Sequence, residues 1–351
     1  MNKGLFDSSK LQKQLDYSVE ITGIPMRTPS FAFLILALPI FLCGSRLNAQ
    51  NAYPNKPVKV IVAAATGGGT DILGRLFAQK LSEKLGQPFV VDNKGGGGGS
   101  VAADFVAKSA NDGYTLLVTN DQLTVGASFN SSLTYDVLKD FSPIGLFGRS
   151  PVVVGVNPMV PVNNVDELIA LVKANPKKYS FSSCGYGTPL HLAGELLNLT
   201  AGIDMVHVPY KGCSPALTDV VSGQIPIFFN MMNNVAPFAK GGKVKMLAVA
   251  SSKRLASLPH LPTIAESGFP NFDAFPWFGI LAPAGTPKTV ISQLSNEILN
   301  MVESKDISDK LKNLNFEPTP TTPEAFTEIM KSDLVRWRRV VKEGNLKAVA
   351  E

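Results

Sequence analysis

Short apolar runs alternate with stretches of helical spacing from residue 58 almost to the C-terminus. The run over 58–65 reads as a buried strand. Ile72, Leu73, Leu76, Phe77, Leu81 and Leu85 then share one face of a helix predicted over 70–85, with Gly86 placed to cap it. Strands follow over 89–92 and 114–119, separated by the glycines at 95–99, by Ser100 as an N-cap and by a helix over 101–108. The rhythm breaks over 141–157, where two strand-like runs follow each other with only a short gap, the mark of a chain crossing between lobes. Asn164 caps a helix over 165–174. Strands over 179–183 and 205–209 lead to helices opened by Pro189, with Thr188 as cap, and by Pro215. Runs over 225–229 and 244–250 are further strands, 277–282 is a second crossing, and Thr286-Pro287 and Thr322-Pro323 open the last helices.

This alternation argues α/β with largely parallel sheets. Two crossings divide the chain into a first lobe, 50–151 with 273–351, and a second, 152–272. Such a clamshell turns the loops at the carboxyl ends of its strands toward one cleft. The segments 67–71, 182–188 and 210–214 are loops of that kind.

The first of them follows the strand with Gly67, Gly68, Gly69, Thr70 and Asp71. A strand, a glycine turn and a helix start leave unpaired backbone N–H groups at the positive end of the helix dipole, a site for phosphate, sulfate or carboxylate. Asp71 has two readings: a first-turn acid that satisfies helix N–H groups, which is favoured, and an acid facing an amine or hydroxyl of a ligand.

Composition excludes several classes. At 351 residues with 17% charged groups, the chain is globular and long enough for two cores. Residues 1–49 hold five basic and three acidic groups; without them the net charge drops from +5 to +3 (28 basic against 25 acidic), too weak and dispersed for a nucleic-acid surface. Arg27, the apolar run over 31–43 and Leu47-Asn48-Ala49 have the order of a secretory signal, with cleavage expected after Ala49. The run is shorter than the roughly 20 residues that span a bilayer. Residues 1–25 exceed what a signal needs, and Met26 is the alternative start. The mature chain is expected to be exported, into a compartment that permits disulfides.

Enzyme signatures are missing. No Gly-x-Ser-x-Gly elbow occurs, and His191, His207 and His260 form no His-x-x-x-His metal pair. Neither glycine run is followed by Lys-Ser/Thr, and Ile72 stands where a dinucleotide loop needs its last glycine. No cofactor or metal is expected, and the run at 95–99 reads as a permissive turn. Cys184 and Cys213 remain in the exported chain; a disulfide between them and two separate buried thiols both stay open.

The motifs Tyr53-Pro-Asn-Lys-Pro, Gly67-Gly-Gly-Thr-Asp, Ser182-Ser-Cys-Gly-Tyr-Gly-Thr, Val206-His-Val-Pro-Tyr-Lys-Gly and Trp277-Phe-Gly-Ile-Leu-Ala-Pro occur in order through the mature chain. They resemble the tripartite tricarboxylate transporter receptors, also called the Bug family. The resemblance implies a periplasmic-binding-protein type II clamshell that closes on a small carboxylate and presents it to a membrane permease. Sensing through a membrane partner is an alternative, and a secreted enzyme acting on an organic acid is a weaker one. The residues it implies for the ligand are Thr66, Gly68, Gly69, Thr70 and Asp71 on one lobe with Ser182, Ser183, Gly185 and Thr188 on the other; Asn120, Tyr210 and Asn230 are added as wall residues. Ala63-Ala-Ala-Thr66 departs from the bulkier, proline-rich run of such proteins. Ala64 there implies a wider pocket and a longer or aromatic acid.

Overall fold

In the computed structural model, residues 53–130 and 133–347 are described. The expected leader, its cleavage point and the alternative start lie outside them. In chain order the elements are β1 (Val58–Val62), α1 (Gly69–Leu85), β2 (Phe89–Asn93), α2 (Ser100–Ala107), β3 (Thr115–Asn120), α3 (Gln122–Phe129), β4 (Phe141–Arg149), β5 (Val152–Val156) and α4 (Val165–Lys173). They continue with β6 (Ser180–Ser183), α5 (Pro189–Ala201), β7 (Val206–Pro209), α6 (Cys213–Val221), β8 (Ile227–Met231), α7 (Met232–Lys240) and β9 (Lys245–Val249). The last are β10 (Trp277–Pro283), α8 (Lys288–Glu303), α9 (Lys305–Asn313), β11 (Glu317–Pro318) and α10 (Pro323–Glu343). Among the described residues no helix is long and apolar enough to cross a membrane.

Two sheets carry the two lobes of a type II clamshell, one ordered β11-β4-β10-β3-β1-β2 and the other β7-β6-β8-β5-β9. Both are mixed, which corrects the expectation of largely parallel sheets. Parallel pairing is confined to β2-β1-β3 and β7-β6-β8, where a helix intervenes between strands. The strands at the crossings, β4, β5 and β10, pair antiparallel with their neighbours.

Alternation along the strands builds a core on each face. Val58, Val60 and Val62 of β1 join one apolar cluster with Leu73, Phe77 and Leu81 of α1, while Ile61 joins another with Trp277 and Phe326. In the second sheet Val152, Val154 and Val156 face the cluster of α4 and α5, and Val153 faces that of α6 and α7. Helix α10 belongs to two cores: Phe326, Met330 and Leu334 pack with Trp277, whereas Trp337 and Val340 enter the second-lobe cluster.

The crossings run side by side. Ser150 donates its N–H to the carbonyl of Pro276 at 2.9 Å, and Arg149 donates Nε to the carbonyl of Phe275 at 2.9 Å. Arg149 and Arg336 lie 3.7 and 3.6 Å from Asp273, and Trp277 Nε1 donates to Asp333 at 2.8 Å. Asp121 and Asp333 are buried beside this cluster, and burial pushes both carboxyls upward.

Candidate functional site

Loops from both sheets enclose a cleft of two chambers, of about 340 and 480 Å³, that share Asn120, Cys213 and Met231. Ala63, Ala64, Ala65, Gly95, Gly96, Gly98, Gly99 and Gln122 line the first chamber from one lobe, and Cys184, Thr188 and Leu190 line it from the other. The second chamber holds Gly67, Gly68, Gly69 and Thr70, the carboxamides of Asn233, Asn234, Asn313 and Asn315, and the rings of Phe278 and Phe316. Among the described residues no charged side chain lines either chamber. Two larger hollows, of about 860 and 900 Å³, lie along α10 and lack these loops.

The first loop has its expected form, and Asp71 takes the favoured one of its two readings, as a first-turn acid. Helix α1 starts at Gly69, and its N-cap Gly68 has no side-chain cap, so the first helical N–H groups stay open to the cleft. Asp71 is turned inward and does not face the cleft. Its Oδ2 accepts the N–H of Gly67 at 2.8 Å, and its Oδ1 meets Asn93 Nδ2 at 2.8 Å and Arg75 Nε at 3.0 Å. Burial raises the carboxyl, but these partners outweigh it and hold the group below the usual carboxylate range.

Asn120 stands at the end of β3, where its Nδ2 donates to Thr70 Oγ1 at 3.2 Å and its Oδ1 accepts the N–H of Gln122 at 3.0 Å. Thr66 is exposed and outside both chamber walls.

The second lobe differs more from expectation. Ser182 is buried, with its hydroxyl 3.5 Å from the carbonyl of Ala216. Ser183 Oγ donates to the carbonyl of Gly185 at 3.0 Å and lies 2.7 Å from His207 Nε2. The N–H of Gly185 points back to Ser183 Oγ at 3.3 Å, and the N–H of Gly187 to His191 Nδ1 at 3.1 Å. Thr188 lines the cleft but caps α5, accepting from His191 N–H at 3.3 Å. Tyr210 donates its hydroxyl to Asp219 at 2.5 Å, and burial followed by this bond pushes its pKa up to about 12. Asn230 is buried, donating to the carbonyl of Cys213 at 3.2 Å. Buried polar groups must find partners: Ser183 and Thr188 bond the backbone of their own loop, while Ser182, Tyr210 and Asn230 bond α6.

Behind the loop His191 and His207 stack, ring centroids 3.8 Å apart. Burial, then the neighbouring His191, lowers His207 to about 3, so its ring is neutral. Cys184 and Cys213 are joined by a disulfide with Cα atoms 4.2 Å apart, and both line the cleft.

The open donors of this lobe come from α6. It starts at Cys213, two residues ahead of the predicted Pro215, and its N-cap Gly212 has no side-chain cap. Thus the strand-end rule found the loop at 210–214, but the backbone at its end contributes to the wall in place of the Tyr210 side chain. The same rule applied to the end of β8 locates Met231, Asn233 and Asn234, which residue motifs alone did not single out. Asn313 ends α9 and Asn315 follows it, where no such signal exists. The run at 95–99 is both permissive turn and cleft wall.

Comparison with known proteins agrees with this architecture. The profile of the tripartite tricarboxylate transporter family receptor matches residues 73–346. BugT of Bordetella pertussis is 35% identical over 319 residues, covering 90% of this chain and 98% of that protein. The structure of Rpa4515 from R. palustris with adipate superimposes with a TM-score of 0.73 at 32% identity, over 85% of this chain and all of that one (100%). That of MatC from Rhodopseudomonas palustris with bound malate gives 0.69 at 30% identity, over 82% and 100%.

Proposed function

The chain belongs to the tripartite tricarboxylate transporter family of receptors, and from that premise we propose that its cleft captures a small carboxylate for delivery to a membrane permease. It is a solute-binding receptor and not an enzyme. One observation carries the ligand class: α1 and α6, one from each lobe, begin uncapped at the same neutral space. Their N–H groups and dipoles favour an anion without a cationic side chain. The amides of Asn120, Asn233 and Asn234 add neutral donors. Bound adipate and malate in two relatives support a carboxylate.

The wall at Ala63, Ala64 and Ala65 leaves room beside the glycine run, which favours a longer or aromatic acid over a four-carbon one. In this reading Gly68, Gly69, Thr70, Asn120 and Thr188 meet the ligand. The protein acts in the periplasm as a monomer, after cleavage near Ala49, with lobes 50–151 plus 273–351 and 152–272.

A thermal-shift screen of the mature protein against mono-, di-, tri- and aromatic carboxylates tests the proposal. A ligand at 100 times its Kd adds about 2.7 kcal/mol of stability. No shift with any carboxylate would overturn it.

A further inference from the structure

We infer that Gln122 is a positioning residue that sets the angle between the two lobes of the clamshell, by holding the Gly187 carbonyl of the second lobe through its side-chain amide. This inference goes beyond the ligand reading and does not depend on the ligand's identity.

Gln122 opens α3, directly after the last strand residue Asn120 and Asp121 of the first sheet. Its Nε2 donates to the carbonyl of Gly187 at 3.0 Å, across the cleft. Behind it a relay runs into each lobe. On one side the Gln122 N–H is held by Asn120, which donates to Thr70 at the start of α1. On the other side the Gly187 N–H is held by His191, whose Nε2 lies 3.6 Å from Glu195. The carbonyl that Gln122 grips is therefore fixed by the buried base of α5. Gly187 has φ +68, a backbone shape that suits glycine and turns this peptide toward α3. Room for the carboxamide comes from Gly98, where a Cβ would lie 3.2 Å from Gln122 Nε2.

The rest of α3 makes a different kind of contact. Val125 belongs to the second-lobe core, and Phe129 packs against Tyr186 and His191 with centroids 5.9 and 6.4 Å away. Apolar contacts are non-directional and tolerate rotation, whereas a hydrogen bond weakens steeply as its angle departs from linear. A lobe pivoting over Val125 and Phe129 therefore breaks the Gln122–Gly187 bond first. The bond lies on the cleft side of that pivot.

The test uses ligand-free mature protein with its disulfide intact and spin labels at Lys84→Cys on α1 and Lys240→Cys on α7, both exposed. Distances between the labels are measured for the parent, Gln122→Glu and Gln122→Met. Glutamate has the same shape but no donor when ionised, and regains an O–H donor when protonated. Among the described residues no charged side chain lines its chamber. We expect Gln122→Glu to show a longer separation at pH 7.5 that shifts toward the parent value at pH 4, roughly across the carboxyl range. Gln122→Met stays long at both pH values. Melting curves matched to the parent separate an opened cleft from a damaged fold. Distance distributions that superimpose on the parent for both variants at both pH values overturn the inference, and leave the carboxylate reading untouched.

Discussion

The Asp71 carboxylate accepts the backbone N–H of Gly67, four residues before it, at 2.8 Å. That single bond closes the glycine turn and fixes the direction in which the next N–H groups point. Asp71 thereby shapes the loop without itself lining the cleft.

Asp71→Ala is expected to destabilise the protein by about 1–3 kcal/mol, the cost of leaving buried donors unsatisfied, and to weaken ligand affinity. Asp71→Asn keeps one carbonyl acceptor and is the milder change. The carboxyl's folded pKa is depressed, so its stabilisation is present above the unfolded value near 4 and is lost as pH falls through the folded one. Urea midpoints measured at pH 3 and pH 7 check this: the gap between parent and variant should shrink at pH 3.

His207 supplies a second acid-sensitive element over a higher range. Its folded pKa is about 3 against an ordinary 6.5, so the unfolded chain binds the extra proton between those values. Stability is full above pH 6.5 and falls toward pH 3, by up to roughly 1.4 kcal/mol per pH unit. His207→Gln should flatten that limb of the profile, even if it costs stability at pH 7. A parallel acid limb in the variant would assign the loss to other groups.

The disulfide closes a segment with a sequence separation of 29 residues. On the chain-entropy estimate it contributes about 3–4 kcal/mol. Cys184→Ser with Cys213→Ser should lower the denaturation midpoint accordingly and loosen both cleft loops, with a fall in affinity. Denatured, unreduced mature protein should titrate as free of thiols.

Ala64→Phe should fill part of the first chamber. The expected result is weaker binding of the longest acids that the parent accepts, with short acids affected less, measured by calorimetry on both proteins. Unchanged affinity for the parent's best ligand would remove the role assigned to this alanine.

Periodicity made most of the fold legible. Caps at Asn164 and Thr188 occur as read, because a side-chain oxygen followed by a helix start leaves one local solution. Helix α3 was hidden since Asn120-Asp121-Gln122 reads as a polar loop; its packing comes from Val125 and Phe129 meeting a distant lobe. Ile72 fits the apolar stripe of α1 yet is 40% exposed, because it sits at the cleft rim. At the site, the sequence identified the loops but not the side-chain directions. Ser182, Ser183, Tyr210 and Asn230, expected at the ligand, are bonded to Ala216, His207, Asp219 and Cys213, partners that lie 9 to 34 residues away along the chain.

Helix α10 places Leu334 in one core and Trp337 in another, less than a turn further on. The lobes are therefore not interchangeable cassettes. A chimaera that grafts the second lobe of a relative between residues 152 and 272 would meet a foreign Trp337 and Val340 in its core. Such grafts should fold only when the last turns of α10 travel with the lobe they complete, so recombination to new ligands has to respect a boundary that the linear order of the chain conceals.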